Sequence, residues 1–385
     1  MEQIFALDLG TTKFCLATLS PQDPTELDAV CIPASGMKKG MMASFQEAKA
    51  GLSELVTEAE HKFSTDIQNV HVGIAGAHLW SRLVTTQIPL DNKPVSKQQI
   101  QLLEKQIPDN ISLNLQVLHQ IPTAYQVDQR PPVSNPIGLT GKVLQANYLL
   151  IGADSVYSRD IINLCNESGL RVKALFAEPF ASAQATLNPE ACHSGITIAD
   201  IGGGTTDGIC FKRGLPIGCF TINVGGEIIT NDLVIGLGIS KSEAEFLKHN
   251  FGIATSDLET QVTTVHKDLL QVQCEDIKRI LQPRVQELAE LIDKERIRLG
   301  VDQESGLFLT GGGADLKGIC NTFEETLQIK VSKTRPSRLS TAHSGKYATS
   351  IGLLSLAQSI QQPTKKTSFL SKYAKQFFEF IREIS

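Results

Sequence analysis

The chain of 385 residues holds one tryptophan and four methionines, and only 6% of it is aromatic. It has no excess of positive charge: 36 Lys and Arg stand against 41 Asp and Glu, a formal net charge of −5. That argues against nucleic acid as the main partner, since phosphate recognition needs a basic surface. The eight cysteines include no Cys-x-x-Cys pair, so neither a zinc site nor a disulfide framework is indicated. Reduced thiols in a cytosolic protein are the expectation. No apolar run reaches the roughly 18 residues of a membrane span. The first apolar run begins at Ile4, which leaves no room for a signal peptide. What is present, 41% hydrophobic and 20% charged residues, fits an ordinary globular protein of two or three domains with ample core.

One stretch stands out: Asp200-Ile201-Gly202-Gly203-Gly204-Thr205-Thr206-Asp207. The apolar run Ile196 to Ala199 leads in, Gly208 to Phe211 leads out, and Lys212-Arg213-Gly214 turns the chain. This is the pattern of strand, tight glycine loop, strand. Glycine reaches backbone angles that other residues avoid and leaves no Cβ in the way of an anion. Several N–H groups can then face one phosphate, with two threonine hydroxyls beside them. A P-loop is excluded, because it needs Gly-Lys-Ser/Thr opening a helix and here a strand follows. A second copy, Ile4-Phe5-Ala6-Leu7-Asp8-Leu9-Gly10-Thr11-Thr12-Lys13, runs on into Phe14 to Leu19. Either hairpin alone reads as an ordinary turn. Two, each with an aspartate ending the incoming strand, point to a duplicated domain that clamps a nucleotide between opposed hairpins.

The remaining pattern frames these hairpins. Ser44 to Phe63 reads as a helix with Ala48, Leu52, Leu55, Val56 and Ala59 on one face. Val70 to Ala75 is a strand ending at Gly76. Ser96 caps a helix over Gln98 to Gln106. Strands over Leu115 to Val127 and Val143 to Gly152 flank a Pro/Gly-rich loop, Gln129 to Gly141, and a helix over Ser155 to Ser168 closes at Gly169. Glu178 lies at the start of the helix leading into the second half, where it interacts with the helix dipole or serves the site. Gly225 and Gly226 follow the strand Phe220 to Asn223 and open a helix, a place suited to a sugar or phosphate. Ser240 caps a helix with Glu245 and Lys248 on one face, by itself an ordinary surface pair. The helix near Pro283 to Leu299 points Val285, Leu288, Ala289 and Ile292 inward. Arg284, Lys294, Arg296 and Arg298 lie on its other face, which is usually only solvated. Leu307 to Ala314 is a strand running into Gly311, Gly312 and Gly313, bare enough for an adenosine to lie against, with a helix from Leu316. Its first-half counterpart is Val72 to Ala77. Ala348 to Ile360 is the last core helix.

This arrangement resembles the actin superfamily of actin, sugar kinases and the large heat-shock chaperones. Longer stretches are similar to the signatures of the bacterial cell-division family FtsA: Gly36-Met37-Lys38-Lys39-Gly40, Asn135-Pro136-Ile137-Gly138-Leu139-Thr140-Gly141, Pro283-Arg284 and Tyr347-Ala348-Thr349-Ser350-Ile351-Gly352-Leu353-Leu354. The resemblance runs from Ile4 to about Ala357. It implies an α/β fold: duplicated actin-like, ribonuclease-H-like domains around a nucleotide cleft, with an inserted α+β subdomain and a small helical subdomain. The expected divisions are 1–86 for the first domain, completed by 171–193 and about 345–360, with 87–170 inserted. Residues 194–238 and 303–344 make the second domain and 239–302 its helical subdomain, followed by a linker at 361–367 and a terminal helix at 368–385.

The resemblance also implies a ligand set. ATP and Mg²⁺ would sit among Asp8, Gly10, Thr11, Thr12, Lys13, Gly203, Gly204, Thr205 and Thr206. Asp8 and Asp200 are the pair for the metal, while Lys13 reaches a phosphate or only the surface. Gly225, Gly226, Glu245, Lys248 and Gly311 to Gly313 would hold ribose and adenine. Water for a slow hydrolysis would be placed by Glu178 or Asp200. The family's role is to polymerise and to tether FtsZ filaments to the inner face of the cytoplasmic membrane at the division septum. The FtsZ carboxyl-terminal tail would meet the helical subdomain near Arg284, and the insert would meet neighbouring subunits or later division proteins. A small-molecule kinase of the superfamily and a pilus-assembly adaptor of the PilM type are the alternatives. Both leave the Asn135 to Gly141 motif and the terminal helix unexplained.

That terminal helix is the clearest amphipathic stretch. At about 100° per residue, Phe369, Leu370, Tyr373, Ala374, Phe377, Phe378, Phe380, Ile381 and Ile384 fall on one half of Ser368 to Ser385. Ser371, Lys372, Lys375, Gln376, Glu379, Arg382 and Glu383 fall on the other. Its phenylalanines suit the membrane interface, and each basic residue adds about 1 kcal/mol at an anionic leaflet. Glu379, Glu383 and the lack of tryptophan weaken a single copy, so filament avidity completes the anchor. Full-length protein is expected to pellet with anionic liposomes under polymerising conditions, and protein ending at Thr367 is expected to stay in the supernatant. Equal pelleting of the two would sink the anchor.

Overall fold

The computed structural model describes residues 3–23, 25–107, 110–112, 114–187, 195–253, 262–265, 270–336 and 345–361. The linker beyond 361 and the terminal helix expected at 368–385 lie outside the described residues.

The first half starts with β1 (Ala6–Leu9), β2 (Lys13–Leu19) and β3 (Leu27–Pro33). The small hairpin β4 (Met37–Lys38) and β5 (Met41–Met42) follows, then α1 (Phe45–Phe63) and β6 (Asn69–Ile74). Helix α1 begins where expected because the Ser44 hydroxyl accepts from the Glu47 N–H. It buries all five of its expected apolar positions. The insert then runs β7 (Leu79–Pro89), α2 (Lys97–Lys105), β8 (Asn110–Ser112), β9 (Leu115–Val127) and β10 (Val143–Asp154). Ser96 and Gln99 cap α2 reciprocally. Four strands in the order β7-β10-β9-β8 form the insert's sheet, over a core of its own that includes Leu103, Val127, Leu144 and Tyr148. After it, α3 (Ser155–Glu167), β11 (Arg171–Ala177) and α4 (Glu178–Thr186) return the chain to the main body.

The second half repeats the first: β12 (Ile196–Ile201), β13 (Thr206–Lys212) and β14 (Leu215–Ile222) come before α5 (Gly226–Leu237) and α6 (Lys241–Asn250). A short pair, β15 (Val262–Val265) and β16 (Leu270–Gln273), leads to α7 (Cys274–Arg298). The chain ends in β17 (Gly306–Thr310), α8 (Ile319–Leu327), β18 (Val331–Lys333) and α9 (Ala348–Gln361). The two main sheets are β3-β2-β1-β6-β11 and β14-β13-β12-β17-β18. In each, the first three strands pair antiparallel, and the first strand pairs parallel with the fourth. The duplication read from two short motifs is thus a duplication of whole sheets. Between the sheets, α4 and α9 pack with Phe176, Ile198 and Phe211 into one apolar layer. Gly352 permits that contact, since a Cβ there would lie 1.8 Å from the Ala181 carbonyl oxygen.

Four expectations need correction. Cys15 and Cys31 form a disulfide, where reduced thiols were expected. They are 16 residues apart, with no motif spacing, but the β2–β3 register sets them directly opposite each other. Helix α7 starts at Cys274 and carries Pro283 inside it, although proline prefers a first turn. The glycine loop after β17 makes a 3₁₀ turn over Gly313–Asp315 before α8 begins at Ile319, three residues later than expected. The basic face expected on α7 is largely neutralised. Arg296 is buried and donates to Thr197 Oγ1, Asp293 Oδ1 and the Ser305 carbonyl. Arg298 pairs with Glu295, and Arg284 pairs with Asp232 and Glu287.

Candidate functional site

A cavity of about 380 Å³ opens between the two halves. The β1–β2 hairpin brings Asp8, Gly10, Thr11, Thr12 and Lys13 to it, and the β12–β13 hairpin brings Asp200, Gly203, Gly204 and Thr205. Glu178, the first residue of α4, lines it as well, so its helix-start position and its place at the cavity are one and the same. Gly226, Glu245, Lys248 and Gly311 to Gly313 complete the set. Of the residues singled out from sequence, Thr206 and Gly225 alone are not on the lining.

Their absence has local causes. Along a strand, side chains alternate between faces, so Thr205 and Asp207 face the cavity and Thr206 turns away, donating its hydroxyl to the Val224 carbonyl at 2.8 Å. Gly225 supports the hairpin: a Cβ there would lie 2.6 Å from the Gly203 oxygen. The next two N–H groups, of Gly226 and Glu227, donate to the carbonyls of Gly202 and Gly203 at 2.9 and 2.8 Å. The start of α5 therefore braces the glycine loop with donors that the sequence reading had reserved for a ligand.

The two hairpin tips touch. A Cβ on Gly203 would lie 2.2 Å from Thr12 Cγ2, and one on Gly204 would lie 2.4 Å from Thr11 Oγ1. Glycine here lets the halves meet as well as leaving the backbone bare. Gly40, from the Gly36 to Gly40 motif, sits against the same junction. Its N–H donates to Thr11 Oγ1 at 2.8 Å and its carbonyl accepts from the Tyr157 hydroxyl at 3.1 Å.

Six carboxylates line the cavity: Glu227 and Glu245, and the mutually interacting group of Asp8, Glu178, Asp200 and Asp207. Burial pushes the Asp200 carboxyl up to about 6; Ser182 opposes this by hydrogen bonding, and Asp207 and Asp8 add to it. Glu178 is held well above the usual carboxylate range, first by burial and then by the charges of Asp8, Asp207 and Asp200. Asp8 is raised by burial against the pull of Lys13, whose Nζ is 3.6 Å away. Asp207 is raised by burial too, while Thr221 Oγ1 at 2.6 Å, Thr205 Oγ1 at 2.8 Å and the Gly76 N–H at 3.3 Å steady its charge. Lys13 is the lysine that acts on this group of four, although Lys248 and Lys346 also line the cavity, and the excess of carboxylates fits a cation. Among the described residues no three His, Cys, Asp or Glu side chains form a ligand cluster. The fit is therefore to an ion that brings most of its own ligands, as Mg²⁺ does with water and phosphate oxygens.

Elsewhere on the lining, Lys248 Nζ donates to Thr230 Oγ1 at 2.6 Å, Glu245 Oε1 at 2.9 Å and the Gly226 carbonyl at 3.2 Å. Burial works against the Glu245 charge, but Lys248 and Thr230 hold the carboxyl below its usual range. Four contributing residues escaped the sequence reading. Asp207 closes the quoted motif, and Thr349 lies in the Tyr347 to Leu354 stretch, so both were visible without an assigned role. Ser182 and Thr230 carry no local signal.

The paired sheets and the shared cavity define an actin-like protein with a nucleotide-type cleft. Solved structures agree on the fold: the PilM–PilN type IV pilus biogenesis complex has a TM-score of 0.62 at 17% identity, covering 91% of this chain and 97% of that one. MreB5 of Spiroplasma citri bound to ADP has a TM-score of 0.56 at 14% identity, covering 95% and 99%. Two family models match the sequence, cell division protein FtsA over residues 197–352 and the SHS2 domain inserted in FtsA over residues 76–152. The chain belongs to the FtsA family. The cell division protein FtsA of Neisseria meningitidis is 27% identical over 371 residues, spanning 92% of this chain and 90% of that protein. That of Borreliella burgdorferi is 28% identical over 337 residues, spanning 84% and 82%.

The raised carboxyls have a measurable sign. A carboxyl moved from 3.8 unfolded to about 6 folded contributes stability that is whole below 3.8 and is lost as pH rises through 6. Asp200→Asn removes that loss. Its stability relative to the parent, measured by urea unfolding without ligand, is expected to grow by about 2 kcal/mol between about pH 4.5 and 7.5. A pH-independent difference would contradict the burial of this charge.

Proposed function

We propose that the cavity binds ATP with Mg²⁺ and that the protein polymerises and tethers FtsZ filaments to the inner face of the cytoplasmic membrane at the division septum. The observation that carries the ATP reading is the meeting of two glycine hairpins in one cavity beside Asp8, Glu178, Asp200 and Asp207. Asp8 and Asp200 would hold Mg²⁺, which screens phosphate charge when bound. Lys13, which lines the cavity, pairs with Asp8 and donates to the Lys346 carbonyl at 2.6 Å, would meet a phosphate. Gly311 to Gly313, with Glu245 and Lys248, form the adenosine side. Glu178, whose carboxyl is held well above the usual carboxylate range by burial and then by its charged neighbours, would orient a water by a hydrogen bond. Asp200 is the alternative for placing that water.

The FtsZ tail would dock in the cleft lined by Asp232, Ile235, Ile280, Pro283, Arg284 and Glu287. Ile235 is 82% exposed there, and the family's FtsZ tails combine apolar and acidic residues. Arg284 is engaged with Asp232 at 2.7 Å and with Glu287, so an incoming carboxylate competes for a guanidinium already held in place. Membrane attachment rests on Phe369, Leu370, Tyr373, Phe377, Phe380, Ile381 and Ile384. Among the described residues no helix is long and apolar enough to cross a bilayer.

Calorimetric titration tests the ATP site. Gly204→Val drives a side chain into Thr11 and Asp200→Ala removes a cation ligand, and both are expected to weaken Mg²⁺-ATP binding at least about tenfold, or 1.4 kcal/mol. Unchanged binding by both would refute the clamp. Fluorescence anisotropy with an FtsZ tail peptide tests the docking cleft. Ile235→Ser is expected to lose about 1–2 kcal/mol of affinity through lost apolar burial, and Arg284→Glu about 1–3 kcal/mol. Parent-like affinity in both variants would move the tail elsewhere.

A further inference from the structure

We infer that Ser182 and Thr349 are positioning residues that together fix the Asp200 carboxylate for the cation, an inference that rests on the Mg²⁺-nucleotide reading above. The Ser182 hydroxyl donates to Asp200 Oδ2 at 2.5 Å, and the Thr349 hydroxyl donates to the same oxygen at 3.3 Å. The two hydroxyls lie 3.0 Å apart and are buried, 1% and 7% exposed. A hydroxyl has one hydrogen: Ser182, the nearer group, directs its own at Oδ2, and Thr349 directs its own at Oδ2 or at the Ser182 oxygen. That oxygen is occupied, which leaves Oδ1 for a ligand. Gly311 keeps Oδ1 uncovered, because a Cβ there would lie 2.1 Å from it.

The two hydroxyls do not come from Asp200's own sheet. Ser182 stands on α4, which continues from strand β11 of the first sheet, and Thr349 stands in the first turn of α9, which packs on β1, β2 and β6 of that sheet. Asp200 belongs to β12 of the second sheet. The position of its carboxylate is therefore set by helices that lie between the two sheets rather than by its own strand neighbours. Asp8, its counterpart on β1, is treated differently: its neighbour is a cation, Lys13, at 3.6 Å. A carboxylate beside a lysine is already partly neutralised. A carboxylate held by neutral hydroxyls keeps its full charge for an incoming ion and keeps it in a fixed direction. Groups that orient a metal-binding carboxylate through hydrogen bonds change metal affinity by about tenfold to a hundredfold when lost.

The test is calorimetric titration of the full-length protein with ATP, once in excess Mg²⁺ and once in EDTA. The parent is expected to bind ATP more tightly with Mg²⁺. Thr349→Val and Ser182→Ala are each expected to lose about tenfold or more of that Mg²⁺-dependent gain, the loss in Mg²⁺ exceeding any loss in EDTA. Thr349→Ser, which keeps the hydroxyl, is expected to retain the gain. A merely structural role predicts equal losses in both media and no rescue by serine, and that result would overturn the inference. So would a full Mg²⁺ gain in both hydroxyl-deficient variants. If Thr349→Val does not fold, Ser182→Ala against the parent decides by the same criterion. A parent that binds no ATP in either medium overturns the nucleotide reading along with this one, whereas a failure confined to the variants overturns the positioning role alone.

Discussion

Like charges crowded into one buried space are the constraint on which this structure turns. Two unit charges about 4 Å apart repel by about 4 kcal/mol at the effective dielectric of a protein surface, and burial sharpens that. Asp8, Glu178, Asp200 and Asp207 are accommodated by four different means. Asp8 has a lysine, Asp200 has two hydroxyls, Asp207 has two threonines and a backbone N–H, and Glu178 is driven toward its neutral form. These arrangements need elements from both halves. The Gly76 N–H that reaches Asp207 lies in the first half, and the carboxylate lies in the second. The cavity and the packing of the halves are in that sense one structure.

The parts of the site that sequence reveals are those encoded within a few neighbouring residues. A strand–glycine–strand hairpin is local, so both copies could be found, and with them most of the lining. The parts it conceals depend on pairing between distant residues. Asp207 matters because the β12–β13 register sets it opposite Asp200. Ser182 and Thr230 look like ordinary polar residues in helices, because periodicity marks apolar faces only. Cys15 and Cys31 meet through strand register rather than motif spacing. Arg296 was placed outside by its charge, yet its helix carries it under the sheet, where Thr197, Asp293 and Ser305 satisfy it. Thr206 and Gly225 were over-read for a complementary reason: a motif names residues without saying which way each one faces.

The insert is joined to the cleft through the Gly36 to Gly40 motif. Gly36 and Gly40 have φ of +68° and +71°, and a Cβ on Gly36 would lie 2.3 Å from the Ser44 oxygen, so the tight β4–β5 hairpin uses glycine just before its first strand and in its turn, where Gly40 ends the motif. Gly40 contacts Thr11 on one side and Tyr157 on the other. Tyr157 in turn stacks on His78, with ring centroids 3.7 Å apart, just ahead of the insert's first strand. The first phosphate-type hairpin and the base of the insert are thus joined by three successive contacts.

The matched strand orders have a further consequence. Two copies of one sheet facing each other approximate a dimer fused into a single chain, with a pseudo-twofold axis through the cleft. A strictly twofold cleft would accept an elongated ligand in either direction. Here the symmetry is broken at the positions that matter most. The residue paired with Asp8 is Cys15, while the residue paired with Asp200 is Asp207. Lys13 has no basic equivalent at Thr205, and the Glu245–Lys248–Thr230 cluster belongs to the second half alone. A molecule with a charged end and a neutral end therefore meets two unlike walls, so the cleft has a head and a tail. Divergence of the two copies has converted a symmetric groove into a directional one.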